Sequence, residues 1–173
     1  MTGMVLPLWL KLALLFGTAA AMEGFAWWAH KHVMHGWGWG WHADHHEPHD
    51  KALEKNDLFA VVFGAFAFCL FVVGYYAFPP LWWVAAGITL YGVVYAFVHD
   101  GLVHGRLPIR WVPRRGYFKR LVQAHKLHHA TTARDGAVSY GFVLAPDPKK
   151  LQAKLRALRA QRKADAGTGA SAA

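Results

Sequence analysis

The sequence predicts an all-α integral membrane protein with three membrane-spanning helices and a histidine-lined helical cap on the cytoplasmic side. Two observations support this fold class. Long apolar stretches occupy much of the first hundred residues, and all twelve histidines lie in the two polar segments between and after them. The 173-residue chain has the length of one ordinary domain. A hydrophobic content of 55% combined with a net charge of +9 fits a membrane protein with polar caps better than a soluble domain.

Three apolar stretches are long enough to cross a bilayer, which takes about 20 helical residues. They cover residues 5–28, 58–78 and 81–98. The second and third contain no charged residue, and Pro79-Pro80 separates them, so we expect a helical hairpin with a tight turn. The first stretch lacks the basic start and cleavage site of a signal peptide, so we expect it to remain as a span. Buried helices of a soluble bundle are the alternative, but these usually carry a polar stripe.

The distribution of charge predicts the orientation. Of the 19 Lys and Arg residues, 18 lie in residues 29–57 and 99–173, which three spans place on one side of the membrane. The positive-inside rule makes that side the cytoplasm, so we expect both polar segments inside and the N-terminus outside. The single cysteine, Cys69, lies within a span and excludes a disulfide framework or a cysteine-based metal site.

The predicted organisation is one membrane-embedded domain over residues 1–163, followed by a disordered tail at 164–173. Within it, residues 29–57 and 99–146 are the candidate metal-binding segments. Residues 148–163 predict a basic amphipathic helix, because apolar residues recur at helical spacing on a basic background. This helix either lies on anionic lipid headgroups or is a solvated terminal helix.

Two H-x-x-H-H motifs, HADHH at 42–46 and HKLHH at 125–129, carry six of the histidines. Positions i, i+3 and i+4 of a helix share one face, so each motif can direct up to three imidazoles to one place. Clusters of this kind are typical of metal sites rather than of surface histidines.

Two H-x4-H pairs, at residues 30–35 and 99–104, form a second kind of unit. Residues i and i+5 of an ideal α-helix lie about 140° apart. Each pair therefore requires a helix end, a π-bulge, or ligation of two different metals.

Together the four units supply ten histidines: His30, His35, His42, His45, His46, His99, His104, His125, His128 and His129. Ten imidazoles exceed the needs of one metal and suit two metals at about five each, with positions left for oxygen. Imidazole binds Fe, Zn, Cu and Ni, so the ligands alone leave the metal open.

The stretches HKHVMHGWGWGWHADHHEPHD, VHDGLVHGR and RLVQAHKLHHA carry these motifs. Their array resembles the fatty acid hydroxylase superfamily of membrane di-iron oxygenases and, within it, the bacterial beta-carotene 3-hydroxylases. The resemblance covers about residues 22–146. It implies that the ten histidines are the metal ligands, whereas His32 and His49 match no motif position. Because the family is sometimes described with four spans, a fourth span is the alternative to the three predicted here.

The resemblance also implies the reaction. Two iron ions, for which zinc can substitute in a purified sample, would use O2 to hydroxylate C3 of the β-ionone rings of beta-carotene, giving beta-cryptoxanthin and zeaxanthin. The carotenoid would reach the site from the bilayer. The sequence contains no flavin, haem or iron–sulfur motif, so an external donor, a ferredoxin, is expected. We expect no nucleic-acid partner, because no recognition motif accompanies the positive charge.

Acidic residues near the histidines are candidates for carboxylates that orient metal ligands. Asp44 lies inside the second motif and Asp100 beside His99. Glu23 precedes His30 by seven residues, two helical turns away on about the same face, within an apolar stretch where a carboxylate is expensive. The alternative is that Glu23 lies near the membrane interface and is solvated.

A basic run between the third and fourth motifs is the candidate docking surface for an acidic ferredoxin. It comprises Arg106, Arg110, Arg114, Arg115, Lys119 and Arg120. Anchoring to anionic lipid is the alternative role.

Other functions stay open at this point. The same superfamily admits a sterol or fatty acid hydroxylase or a carotenoid ketolase. A different class would be a bis-histidine haem electron carrier or a divalent-metal transporter. The carrier would place histidine pairs inside facing spans, and the transporter would place polar residues at mid-membrane, whereas the hairpin at 58–98 has neither.

Overall fold

The computed structural model describes residues 5–47 and 53–169, and every regular element within them is helical. In chain order the helices are α1 (Leu8–Ala29), α2 (Trp39–His42), α3 (Asp57–Tyr76), α4 (Pro80–Tyr95), α5 (Gly116–His128) and α6 (Pro148–Gly169). Two π-helical segments, His30–Trp37 and Ala96–Val103, continue α1 and α4, and a 3₁₀ turn, Ala43–His46, follows α2. The all-α prediction is therefore confirmed for the described residues.

Three helices of the described chain are long and apolar enough to cross a membrane, as the sequence predicts. They are α1 with its π-helical continuation (Leu8–Trp37), α3 (Asp57–Tyr76), and α4 with its continuation (Pro80–Val103). Their apolar side chains point outward: Phe68 is 68% exposed and Val61 is 64% exposed. An apolar surface of this extent is stable when it faces lipid rather than water.

Helix α4 packs against both α1 and α3. Pro79 and Pro80 end the hairpin turn, and Pro80 occupies the first helical position, where its missing N–H is tolerated. Glycines allow the close approach of the helices. A Cβ at Gly87 would lie 2.5 Å from the Leu15 carbonyl oxygen, and a Cβ at Gly74 would meet the Trp82 backbone.

The cap consists of α5, α6 and the irregular segments beside them, packed around a small apolar core. The buried members of this core are Val98, Leu121, Ala124, Val138, Phe142, Ala145, Leu151 and Leu155. Leu151 and Leu155 come from α6, whose apolar side is thus covered by protein. The helix predicted at 148–163 is present, but its buried leucines are unavailable for insertion into lipid, and any lipid contact would involve its exposed basic side chains.

The end of α6 corrects the predicted tail. Helix α6 continues to Gly169, six residues beyond the boundary predicted at Lys163. The sequence Ala164-Asp165-Ala166 contains two alanines, which favour helix and extend α6 beyond Lys163. Residues 170–173 lie outside the described residues.

Candidate metal centre

The π-helical segments bring together the two histidines of each H-x4-H pair. The His104 N–H donates to the His99 carbonyl at 2.9 Å, the i to i+5 bond that defines a π turn. His30 and His35 lie in the other π-helical segment. One π turn places residues i and i+5 on the same side of the helix. Of the three solutions that the spacing allows, the chain uses the π-bulge.

The ten histidines form two groups of five. Group A contains His30, His35, His42, His46 and His128. Group B contains His45, His99, His104, His125 and His129. Within each group the ligand nitrogens all lie within 4.8 Å of one another. Of the two remaining histidines, His32 belongs to neither group, and His49 lies outside the described residues.

Each H-x-x-H-H motif is divided between the groups. The outer histidines of residues 42–46 join group A, while the middle one, His45, joins group B. The motif at 125–129 has the opposite arrangement, since His128 joins group A. Positions i+3 and i+4 of a helix differ by about 100°, so adjacent histidines point to different centres. Each motif thus directs two imidazoles to one group and the third imidazole to the other group.

The Nε2 atoms converge within both groups. In group A, the Nε2 atom of His42 lies 3.2 Å from those of His30 and His46. In group B, the Nε2 atom of His125 lies 2.9 Å from that of His129 and 3.2 Å from that of His104. The two groups adjoin, because the His46 and His129 rings stack at 4.5 Å between centroids.

The other ring nitrogen of every group A histidine donates to a neutral oxygen. The Nδ1 acceptors are the carbonyls of Tyr140 for His30, Arg134 for His35, Thr131 for His46 and Ser139 for His128, and the Asn56 side-chain oxygen for His42. A backbone carbonyl only accepts, so the proton lies on Nδ1 and the Nε2 lone pair points into the group.

Group B is partnered differently. His45 Nδ1 donates to the Glu54 carboxylate at 2.6 Å, and His99 Nδ1 donates to the Asp100 carboxylate at 2.8 Å. The Glu54 side chain is 6% exposed. Two of the five imidazoles are thus hydrogen-bonded to carboxylates.

Aromatic rings enclose both groups. The rings of Trp39 and Tyr140 each lie 5.2 Å from the ring of His35 in group A. In group B, the Tyr95 ring stacks on His99 with centroids 4.6 Å apart. These rings restrict access of water and lower the local dielectric constant, which disfavours a positive charge on the imidazoles.

Burial keeps the histidines neutral. Desolvation, reinforced by neighbouring histidines, lowers the pKa of His46 to about 4 and the pKa of His104 to about 3. The same causes hold the pKa of His42 and of His129 well below the usual histidine range. Neutral imidazole is the form that binds metals, so at neutral pH the lone pairs are available.

The donor set fits a metal ion in each group. Five nitrogen lone pairs that face one another repel unless a cation lies between them. Two imidazole nitrogens bound at a right angle with bonds of about 2.1 Å would be about 3 Å apart. The Nε2 pairs of group A, at 3.1–3.3 Å, and of group B, at 2.9–3.2 Å, have this spacing. A haem takes at most two axial ligands, so the other nitrogens of each group would occupy the space of its macrocycle.

The family model described as "Fatty acid hydroxylase" matches residues 15–146 of the sequence. The chain belongs to the fatty acid hydroxylase family. Its relatives include a protein named "Beta-carotene hydroxylase" from Paracoccus sp. (strain PC1), 54% identical over 84% of this chain and 91% of the relative. A protein of the same name from Pantoea ananas is 54% identical over 86% of each chain. No solved structure matches.

A plant relative is more distant. The protein named "Beta-carotene 3-hydroxylase 1, chloroplastic" from Arabidopsis thaliana is 40% identical over 78% of this chain and 44% of its own length. The family model and the bacterial relatives cover all four histidine motifs, since these lie between His30 and His129.

The three acidic residues singled out near the histidines have different hydrogen-bond partners. Asp100 accepts a hydrogen bond from His99. Asp44 instead accepts from the Lys55 N–H at 2.8 Å, because its side chain points away from the imidazoles toward the chain before α3. Its predicted hydrogen bond to a histidine is absent among the described contacts.

Glu23 is buried but acts on the histidines through the backbone rather than directly. Its carboxylate accepts hydrogen bonds from the N–H groups of Phe142 and Leu144 at 2.9 and 2.8 Å, and from the Tyr91 hydroxyl at 2.8 Å. The segment held in this way supplies the Ser139 and Tyr140 carbonyls to group A.

Sequence reasoning missed most of the Nδ1 partners. Glu54 and Asn56 follow the second motif by about ten residues, and only their shared position before α3 brings them to His45 and His42. The four carbonyl partners belong to the backbone of residues 131–140. Every residue type has a backbone carbonyl, so these positions do not depend on the side chain. No sequence signal identifies a carbonyl.

Proposed function

We propose that the chain is a membrane monooxygenase that hydroxylates C3 of the β-ionone rings of beta-carotene, giving beta-cryptoxanthin and then zeaxanthin. The observation that carries this proposal is the pair of five-histidine groups at one end of three span-capable helices. Bacterial relatives 54% identical over most of the chain are named beta-carotene hydroxylases, which supports the substrate.

Group A and group B would each hold one iron ion through five Nε2 atoms. Bound iron would supply the activation of O2 and the removal of hydrogen from an unactivated C–H bond, which no amino-acid side chain achieves. The chain itself fixes the imidazole tautomers through the Nδ1 partners, keeps the imidazoles neutral by burial, and restricts water with Trp39, Tyr95 and Tyr140. Zinc would occupy the same ligands without supporting turnover, since it has no redox chemistry.

The reaction requires two electrons from outside the chain. Hydroxylation of one ring converts R–H, O2, two electrons and two protons into R–OH and water. A ferredoxin would supply the electrons one at a time. Five of the six basic residues predicted for docking have exposed side chains: Arg110, Arg114, Arg115, Lys119 and Arg120. Arg106 instead binds both carboxylate oxygens of Asp57, so we remove it from the proposed docking surface.

The membrane gives the substrate its route. The histidine groups lie where α1 and α4 pass into their π-helical segments, at the end of the helices opposite the Pro79-Pro80 turn. We place this end at the cytoplasmic face of a bacterial inner membrane, because the basic residues concentrate there. A ring of beta-carotene would meet the histidines at the interface while its polyene remains in the bilayer, whose core is about 30 Å thick.

Product analysis in a bacterium that makes no carotenoid of its own would test this function. The full-length chain would be co-expressed with enzymes that make beta-carotene, and pigments would be separated and identified. We expect beta-cryptoxanthin and zeaxanthin from the wild type and none from His128→Ala. The matched control is His32→Ala, because His32 lies outside both groups and is exposed.

Unchanged beta-carotene in cells containing folded, iron-loaded protein would contradict the proposed substrate. Sterols and fatty acyl chains would then be tested as the substrates of a hydroxylase of the same family, and a keto product at the ring would indicate a ketolase. Loss of product in His32→Ala as well as in His128→Ala would mean that the assay reports expression or folding rather than the histidine groups.

A further inference from the structure

The two histidine groups differ in the charge of the residues that hold them. All five Nδ1 atoms of group A donate to uncharged oxygens, whereas two imidazoles of group B donate to the carboxylates of Glu54 and Asp100. When Nδ1 donates a hydrogen bond to a carboxylate, the imidazole becomes more basic and its Nε2 becomes a stronger metal ligand. The difference lies in the ligand partners, because both groups consist of five histidines.

Further acidic side chains lie close to group B among the described residues. Arg106 donates to Asp57 at 2.8 and 2.6 Å, and its guanidinium lies 3.5 Å from the Asp100 carboxylate. The Arg106 guanidinium thus contacts the carboxylates of Asp57 and Asp100, and Asp100 in turn accepts from the His99 imidazole of group B. A metal ion in group B would be stabilised electrostatically by the carboxylates that accept from its imidazoles, those of Glu54 and Asp100.

The surroundings of group A contain no comparable cluster among the described residues. The Asp135 carboxylate interacts electrostatically with His35. However, its side chain is 76% exposed and lies 3.7 Å from the Arg134 guanidinium. Solvent and the guanidinium both screen its charge. Among the described residues, the Nδ1 partners of group A are thus uncharged carbonyl and amide oxygens.

We infer that the two metal ions are bound unequally, with the tighter ion in group B, and that Glu54 and Asn56 set this difference. Glu54 supplies the charged partner of His45, and Asn56 supplies the neutral partner of His42 at 2.7 Å. Both residues are positioning residues, because they act through the histidines. This inference rests on the proposed binding of two metal ions by the ten histidines.

The positions of Glu54 and Asn56 allow a reciprocal experiment. Glu54→Gln removes the carboxylate from group B with little change in shape, and Asn56→Asp introduces one into group A. The metal-free full-length protein in detergent would be loaded with Co²⁺, and bound cobalt would be counted as a competing chelator is added. The absorption of Co²⁺ reports whether its ligands remain nitrogen donors.

We expect the wild type to release cobalt in two steps of one ion each. Glu54→Gln should weaken only the tighter step, and Asn56→Asp should strengthen only the weaker step, by about 10- to 100-fold in affinity. A gain of affinity in Asn56→Asp is informative because damage to the fold would lower affinity. Lys55→Gln is the control for the added negative charge, since Lys55 is exposed between the two positions. Glu47→Gln is the control for the negative charge that Glu54→Gln removes, since Glu47 is also exposed.

Other outcomes would overturn the inference. Release of both ions in one step, a shift of the weaker step in Glu54→Gln, or shifts in the two control variants equal to those in the test variants would each contradict it. Two equivalent ions would leave the proposed metal centre intact. Binding of fewer than two ions by the wild type would overturn the metal centre itself, and the inference with it.

Discussion

Glu23 accepts a hydrogen bond from the Phe142 N–H at 2.9 Å, which joins the first span to a segment 119 residues further along the chain. The same carboxylate oxygen accepts from the Leu144 N–H at 2.8 Å. Between α5 and these two residues, the chain presents the carbonyls of Ser139 and Tyr140 to group A. A single buried carboxylate in α1 thus fixes the backbone that orients two metal-ligand candidates.

Replacement of Glu23 by Ala should release this segment. The substitution leaves two backbone N–H groups without their acceptor, at about 1–3 kcal/mol each. We expect lower thermal stability and loss of metal mainly from group A, measured by melting in detergent and by metal content. Tyr91→Phe is the matched control, because it removes one hydrogen bond to the same carboxylate and should destabilise by about 1 kcal/mol. Full metal content in Glu23→Ala would show that the segment holds its position without the carboxylate.

Close packing of α1 and α4 predicts a strong effect at one glycine and a weak effect at another. A Cβ at Gly87 would lie 2.5 Å from the Leu15 carbonyl oxygen and 2.7 Å from the Thr18 Cβ, whereas a Cβ at Gly92 would meet nothing within 4 Å. Gly87→Val should therefore destabilise by about 1–3 kcal/mol or more. Gly92→Val, on the same helix, should be close to neutral. Equal melting temperatures for the two variants would contradict the packing of these helices.

Helix α6 should stabilise group A from outside. Arg159 donates to the Ala130 carbonyl and Arg162 to the Asp135 carbonyl, both at 2.7 Å. The loop between these two carbonyls supplies the Nδ1 acceptors of His46 and His35. Because the two arginines are exposed, we expect about 1 kcal/mol from each hydrogen bond.

The double variant Arg159→Gln/Arg162→Gln should therefore release metal from group A at a lower chelator concentration than the wild type, while group B keeps its ion. Arg156→Gln removes an exposed arginine from the same helix and serves as the control. Equal release from the control and the double variant would mean that only the charge of α6 matters, and not its contacts with the loop.

The spans and the clustering of the histidines were predictable because each leaves a strong local pattern. The 21 uncharged residues at 58–78 predict α3, and Pro79-Pro80 predicts the turn after it. The H-x4-H spacing at residues 30–35 and 99–104 left three possible arrangements of each pair. The π-bulge was one of them. These predictions depend on residue type and spacing within one helix.

The partners of the histidines were not predictable, because they depend on how distant segments meet. The carboxylate of Glu54 and the carbonyl of Ser139 reach their histidines only after α3 and α5 have packed. The division of each H-x-x-H-H motif between two groups follows from the approach of the other motif, which one motif alone does not reveal. Glu23 was correctly singled out as a costly buried carboxylate, but its partner lay in a segment without a recognisable signal.

Exposed arginines before and within α5 should guide the electron donor. Reversal of charge in Arg114→Glu/Arg115→Glu should slow reduction by an acidic ferredoxin several-fold, and more at low salt, because screening weakens the attraction at high salt. Lys149→Glu/Lys150→Glu changes the charge equally at the start of α6 and serves as the control. The measurement is the rate of reduction at two ionic strengths. A salt-independent effect, or an equal effect of both variants, would contradict docking at the arginine pair.

The proposed binding of two iron ions by the ten histidines is tested most directly by the amount of iron bound per chain. The full-length protein would be purified from iron-supplemented cells, and iron would be counted in the wild type, His35→Ala and His99→Ala. We expect two iron ions in the wild type and selective loss of one, from group A in His35→Ala and from group B in His99→Ala. One ion or none in the folded wild-type protein, or an unchanged count in both variants, would contradict the assignment of the ten histidines to two metal sites.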